Sequence, residues 1–275
     1  MIAVIDPVQV QAAAPPVTKP NPIEALKQTV SASRLNCWLA CRLKFFFRYV
    51  KKVSKSPTPA LHVGTVVHAI LQAWNMARWK KQPFRVEQFK GLFDKGWTEQ
   101  AEQIDWEDGE SAHKDTAWSL LETYFAKTPI PANEVPEAVE VPLEADLSRY
   151  GLPTLIGVLD LVRAGGRIVD FKTAGKTPNA DDAIRQHEVQ LSSYSVLYRE
   201  STGKAETGRE LHHLVKTKTP KLVITQSGPM NEIQRVRLMK MIESYAECLA
   251  REDFVPSSGF QCAGCEFAQE CRRWC

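Results

Sequence analysis

Two aspartates and a lysine stand inside an otherwise apolar stretch, "GVLDLVRAGGRIVDFKT", residues 157–173. Alternate residues of a strand face the same way, so Asp170 and Lys172 share a face and Phe171 turns to the other. The Gly-containing turn decides whether Asp160 joins them. A two-residue loop at Gly165-Gly166 sets 160 against 171 and separates the carboxylates. A three-residue loop, Ala164 to Gly166, sets 160 against 170. The longer loop needs a left-handed residue at its end, where Gly166 stands. Carboxylates directly opposite each other repel unless a cation lies between them. Hard oxygen ligands at that spacing suit Mg²⁺ or Mn²⁺, and a neighbouring lysine can orient or deprotonate a water. The alternative is an exposed hairpin face carrying an Asp–Lys pair of little energetic value.

The second chemical grouping is made of thiols. The chain has seven cysteines, at 37, 41, 248, 262, 265, 271 and 275. An odd number, with no basic segment leading into a sustained apolar run at the N-terminus, fits a cytoplasmic protein with ligating cysteines better than a disulfide framework. Cys262-x₂-Cys265-x₅-Cys271 offers three thiolates close in sequence, and these need a fourth ligand.

The elements that would carry these groups follow from periodicity. Residues 1–22 read as a disordered tail, rich in Pro, Ala and Val. Ser31 or Ser33 caps a helix predicted to run to about Tyr49, with Cys37 and Cys41 on one face. Gly64 and Thr65 open a second helix, and two more follow before the prolines at 129, 131 and 136. Val139, Val141, Leu143, Ala145 and Leu147 alternate as one face of a strand. After the hairpin come a helix over 181–200, strands at 210–217 and 221–226, and a last long helix over about 230–253. The expectation is an α/β protein with a central mixed sheet flanked by helices. It divides into a helical part over about 31–130, a sheet core over 137–228, and a C-terminal helix with the cysteines over 229–275.

The order of "GTVVHAIL", "GVLDLV", "VDFKT" and "QLSSY" resembles the RecB-like branch of the PD-(D/E)XK nucleases, from about Ser31 to the C-terminus. The resemblance implies that His68, Asp160, Asp170 and the Phe171 carbonyl bind a divalent metal. It implies that Lys172 meets the attacking water or the scissile phosphate. Gln190 and Tyr194 would hold the DNA backbone and the lysine side of the site. Glu140 falls where relatives often carry a glutamate. "SASRLNCWLACRLKFFFRYV" also resembles the N-terminal helix of the iron–sulfur members, with Cys41 at the ligand position and Arg42 where proline is usual. That implies a 4Fe-4S cluster on Cys41, Cys262, Cys265 and Cys271, with Zn²⁺ the competitor and Cys37 or Cys275 as substitute ligands. Cys248 reads as a buried thiol.

The implied activity is that of a Mg²⁺- or Mn²⁺-dependent deoxyribonuclease. It would be an exonuclease on DNA ends or single strands, as in AddB-type nuclease domains and CRISPR-associated RecB-like exonucleases. The implied setting is bacterial or phage DNA repair, recombination or CRISPR-related processing, with a helicase or such proteins as partners. The rivals are a catalytically silent DNA- or helicase-gripping module and a structure-specific endonuclease. Net charge is only +3, so DNA contact must come from local clusters. Arg42–Lys55 carries six basic residues among three phenylalanines and a tyrosine, and Arg78, Lys80, Lys81 and Arg85 form a second group. The basic residues read as a DNA-facing surface and the phenylalanines as core. His62, His113, His187, His212 and His213 match no motif and are assigned to structure or surface. No apolar run is long enough to span a bilayer.

Overall fold

The computed structural model describes residues 21–82, 85–101, 104–106 and 109–274. The predicted tail lies outside them as far as residue 20, as does Cys275; Asn21 and Pro22 already cap and open the first helix. The helices are α1 (Pro22–Gln28), α2 (Ala32–Ala40), α3 (Arg42–Phe45), α4 (Pro59–Trp79), α5 (Val86–Ala101), α6 (Glu110–Lys127), α7 (Ala180–Gln186), α8 (Glu188–Thr202), α9 (Glu232–Arg251) and α10 (Ala268–Arg272). The strands are β1 (Thr29–Ser31), β2 (Ala138–Ala145), β3 (Thr154–Arg163), β4 (Arg167–Ala174), β5 (Gly208–Val215) and β6 (Lys221–Ser227). They form one mixed sheet in the order β1-β3-β4-β5-β6, with β2 also on β3.

One apolar cluster lies on the side of α1, α2, α8 and α9, and includes Leu35, Leu155, Leu159, Ile168, Leu197 and Tyr245. The other lies under α4, α5 and α6, and includes Val67, Phe93, Trp97, Leu121, Leu161 and Phe171. The sheet is thus buried on both faces, which is why its central strands read as near-continuous apolar runs.

Three expectations need correcting. The first predicted helix is broken: Ser31 caps α2, but Cys41 is extended (φ −167°, ψ 119°) and the chain restarts as α3, ending in a π turn over Phe46–Val50. Cys37 and Cys41 therefore do not share a helix face; Cys37 packs in the first core cluster and Cys41 against Leu43, Phe47 and Phe267. The second helix, α4, opens five residues before Gly64, because Thr58 accepts a hydrogen bond from Leu61 N–H and Pro59 sits in the first turn. The predicted 181–200 helix breaks at His187 (φ −103°, ψ 11°).

The sheet has an opening that no pattern announces. β2 covers one edge of β3 from Leu155 to Val162, so β1 and β4 share the other edge. β4 pairs with β3 only at residues 161–163, and β1 only at 154–156, leaving the middle of that edge free. Side-chain alternation also slips there. Leu159 and Val141 face the first cluster, yet Leu161 and Val139 face the second. The expectation that Val139 shares a face with Val141 is wrong, because Glu140 between them has a positive φ of 47°. For a residue with a side chain that backbone costs of order 1–3 kcal/mol, and such strain gathers at functional sites.

Candidate active site

The turn takes its three-residue form. Arg163 pairs with Arg167 and Leu161 with Val169, a register that continues to Asp160 opposite Asp170. Gly165 and Gly166 have φ of 81° and 74°, and Gly166 N–H closes the turn onto the Arg163 carbonyl. The β3–β4 ladder ends before it reaches the aspartates. Phe171 N–H, deprived of a strand partner, donates to Asp160 Oδ2 at 3.0 Å. The N–H and C=O of one strand residue point to the same edge, so the Phe171 carbonyl also faces the opening.

Asp170 is 1% exposed. Its Oδ1 accepts from Gln190 Nε2 at 2.8 Å, and the same amide nitrogen lies 2.8 Å from the Tyr194 hydroxyl. Lys172 Nζ lies 2.7 Å from Asp170 Oδ2, outside hydrogen-bond geometry, so that oxygen is buried beside a charge with no hydrogen bond. His68, from α4, brings Nδ1 to 3.7 Å from Asp160 Oδ2. Burial pushes the Asp160 carboxyl well above the usual range, and the Asp170 charge adds to this. Glu140 is also raised by burial and contributes a further like charge at Asp160. Burial lowers His68, against the pull of Asp170 and the Phe171 carbonyl. It raises Tyr194 above the ordinary phenol value.

All the carboxylate, lysine, histidine, glutamine and tyrosine candidates are thus brought to one place. Gln190 reaches Asp170 itself and the largely buried Tyr194 reaches Gln190, where the resemblance implies contact with the DNA backbone. α8 packs closely on β3 here: a Cβ at Gly157 would stand 2.7 Å from Leu197 Cδ1, which would have to shift, and 3.8 Å from Tyr194 Cε1. An open cleft of about 580 Å³ leads in from α4, lined by Leu61, Gly64, Thr65, His68, Glu140 and Asp160, among others. Among the described residues, no three His, Cys, Asp or Glu side chains are arranged to hold one metal ion. A hard divalent ion needs less than that, since magnesium is commonly held by one or two carboxylates with substrate phosphate and water completing its shell. The unsatisfied Asp170 Oδ2 and the charge-crowded Asp160 fit such an ion.

His187 and His213, which match no motif, also lie close to Lys172. The α7–α8 break sets the His187 ring 5.9 Å from that of His213, which is the cross-strand partner of Lys172. Burial pushes His213 down to about 4. A His-x-x-Gln-x-x-x-Tyr spacing over 187–194 was the available signal, one turn longer than the pair recognised.

Cys41, Cys262, Cys265 and Cys271 line one cavity of about 230 Å³ closed by Leu43, Phe47 and Phe267. All four are free thiols. Cys248 is a buried thiol, as expected, donating to the Asp253 carbonyl at 2.9 Å. Four of the six basic residues beside this cavity are engaged in ion pairs, while Lys51 and Lys52 stay exposed. Arg42 pairs with Asp253, Lys44 and Arg48 with Glu266, and Lys55 with Glu270, joining the two ends of the described chain. Phe45 and Phe47 are core, as expected. In the second basic group Arg78 is 4% exposed and donates to the carbonyls of Pro131 and Glu134, while Lys80, Lys81 and Arg85 stay exposed.

A central hairpin that splays over two carboxylates and a lysine, inside a helix-flanked mixed sheet, is the construction of a nuclease fold. The chain belongs to the PD-(D/E)XK nuclease superfamily, whose family model it matches over residues 29–272. Members are in general metal-dependent phosphodiester hydrolases. Among solved structures, a candidate exonuclease from Eubacterium rectale aligns over 94% of each chain with a TM-score of 0.62 and 17% identity, a likeness of fold. A second structure, SSO0001, aligns over 84% of this chain and 91% of its own at 14% identity and a TM-score of 0.36. No curated protein matches. Neither the family model nor these structures speaks to an iron–sulfur group. Among the described residues no helix is long and apolar enough to cross a membrane.

Proposed function

We propose that this chain is a Mg²⁺- or Mn²⁺-dependent exonuclease that hydrolyses phosphodiesters at DNA ends or in single strands. The observation that carries it is the Asp160–Asp170 pair, with Lys172 beside it, at the open edge between β3 and β4. Asp160, Asp170, His68 and the Phe171 carbonyl are the groups that would hold the ion. Bound there, it would supply charge stabilisation at the phosphoryl oxygens and a more acidic water. Lys172 holds the attacking water or the scissile phosphate. Gln190, backed by Tyr194, fixes the Asp170 rotamer, so the carboxylate does not have to be ordered during reaction. The open cleft under α4 is where the strand would lie, with Leu61 and Gln72 at its wall.

For the thiol cavity we propose the 4Fe-4S cluster. Its four cysteines line one space, and the resemblance of the N-terminal segment to the iron–sulfur members is what supports the cluster over zinc. Its part would be to join the chain ends. The setting is DNA repair, recombination or CRISPR-related processing, by the resemblance.

The test is cleavage of end-labelled linear DNA with Mg²⁺ or Mn²⁺. Asp170→Ala is expected to lose at least about 100-fold in rate; equal cleavage by both proteins sinks the assignment. Circular single-stranded DNA should resist, and its cleavage would make the enzyme an endonuclease.

A further inference from the structure

Lys172 has a second side. Beyond it, away from the α4 cleft, lies another open cleft of about 380 Å³ between the end of β4 and the α7–α8 break. His187, His213, Lys172, Lys176 and Thr177 line it. His213 is 4% exposed, and its Nδ1 is buried with no hydrogen-bond partner. A buried polar atom without a partner costs free energy, and here it belongs to a ring that lines a cleft. His187 stands at the N-cap of α8, three residues before Gln190, so the start of this helix links the Asp170 site to the second cleft. The N-terminus of α7 takes no part, because Asn179 Oδ1 already accepts from Asp181 and Asp182 N–H. Two lysines face the cleft against one exposed carboxylate, Asp182.

We propose that this cleft is a phosphate subsite, in which His187, His213 and Lys176 hold a DNA phosphate next to the one being cut. The proposal rests on the nuclease reading and adds to it a grip on the strand to one side of the scissile bond. The phosphate belongs either to a strand end, as a monoester, or to the continuing backbone, as a diester. Both offer the same anionic oxygens to ring N–H and ammonium donors.

The test has a binding and a kinetic arm. Full-length protein with ¹⁵N-labelled histidine is titrated with inorganic phosphate in chelator. The His187 and His213 ring signals should shift, and that of His113 on α6 should not. In Lys176→Met, an exposed change that spares the fold, half-saturation should need roughly tenfold more phosphate, the effect of one lost charge-assisted bond. In cleavage assays, His187→Asn and Lys176→Met should raise KM roughly tenfold with kcat within about twofold. A rise confined to 5′- or 3′-phosphorylated ends assigns the monoester, and an equal rise on hydroxyl-ended DNA assigns the diester. Unshifted His187 and His213 signals, or unchanged KM in both variants, overturn the subsite. Those outcomes in a protein that still needs Asp170 to cut DNA leave the nuclease reading standing. Equal cleavage by Asp170→Ala removes that reading instead.

Discussion

At the scale of single residues, the site holds its charges in tension. Asp160 is buried beside Asp170, with Glu140 adding to the negative field, so its ionised form is disfavoured in the fold. A carboxyl whose folded pKa lies above its unfolded value stabilises the fold below the unfolded pKa, and that contribution is lost as pH rises through the folded pKa. Asp160→Asn keeps an oxygen to accept from Phe171 N–H and removes the charge. In chelator at about pH 8 it should therefore melt about 2–6 °C higher than the wild type, while failing to cut DNA. The gain should shrink as pH falls and vanish below about pH 3, where the wild-type carboxyl is largely neutral in both states. A melting temperature that falls instead, at every pH, would contradict the crowding. Added Mg²⁺ should reverse the order at pH 8, since it would stabilise only the protein that retains both carboxylates.

At the scale of elements, the turn and one close approach position the chemistry. Gly165 and Gly166 both have positive φ, but a Cβ on Gly165 meets open space and one on Gly166 meets the Tyr198 hydroxyl at 2.6 Å. Gly166→Ala should cost about 1–3 kcal/mol, and clearly more than Gly165→Ala, in denaturant unfolding. Equal costs would mean that the Tyr198 contact does not matter. The register of this turn was legible in the sequence, because Ala-Gly-Gly between two apolar runs allows few hairpins and only one aligns the aspartates. The slip in alternation at Glu140 was not legible. A left-handed glutamate inside a strand contradicts local propensity, so no pattern of residue types announces it. The basic segment misled for a related reason: composition shows charge, but not the glutamates some 210–220 residues later that pair with it. Cys41 lines one cavity with Cys262, Cys265 and Cys271, although the helix drawn around it breaks at that residue.

At the scale of the whole molecule, the cysteine cavity and four ion pairs tie residues 41–55 to residues 253–271. The ion pairs are partly exposed and individually worth little. The weight of the junction falls on the cavity. Cys41→Ser should lower the melting temperature more than Glu266→Gln does, and anaerobic wild-type protein should carry about four irons and four sulfides per chain. Zinc alone at that position would refute the cluster. Asp160 and Asp170 stay joined by their own hairpin in either protein, so residual cleavage at low temperature should survive the loss of Cys41.

That hairpin has a consequence in time. Its ten-residue separation closes on the microsecond scale, whereas bringing Cys41 to Cys262 spans most of the chain and waits on the sheet between them. During synthesis the two aspartates emerge and meet long before the last cysteine exists. The pairing on which the proposed chemistry rests is therefore among the chain's earliest contacts, and the fastening of its ends is among its last.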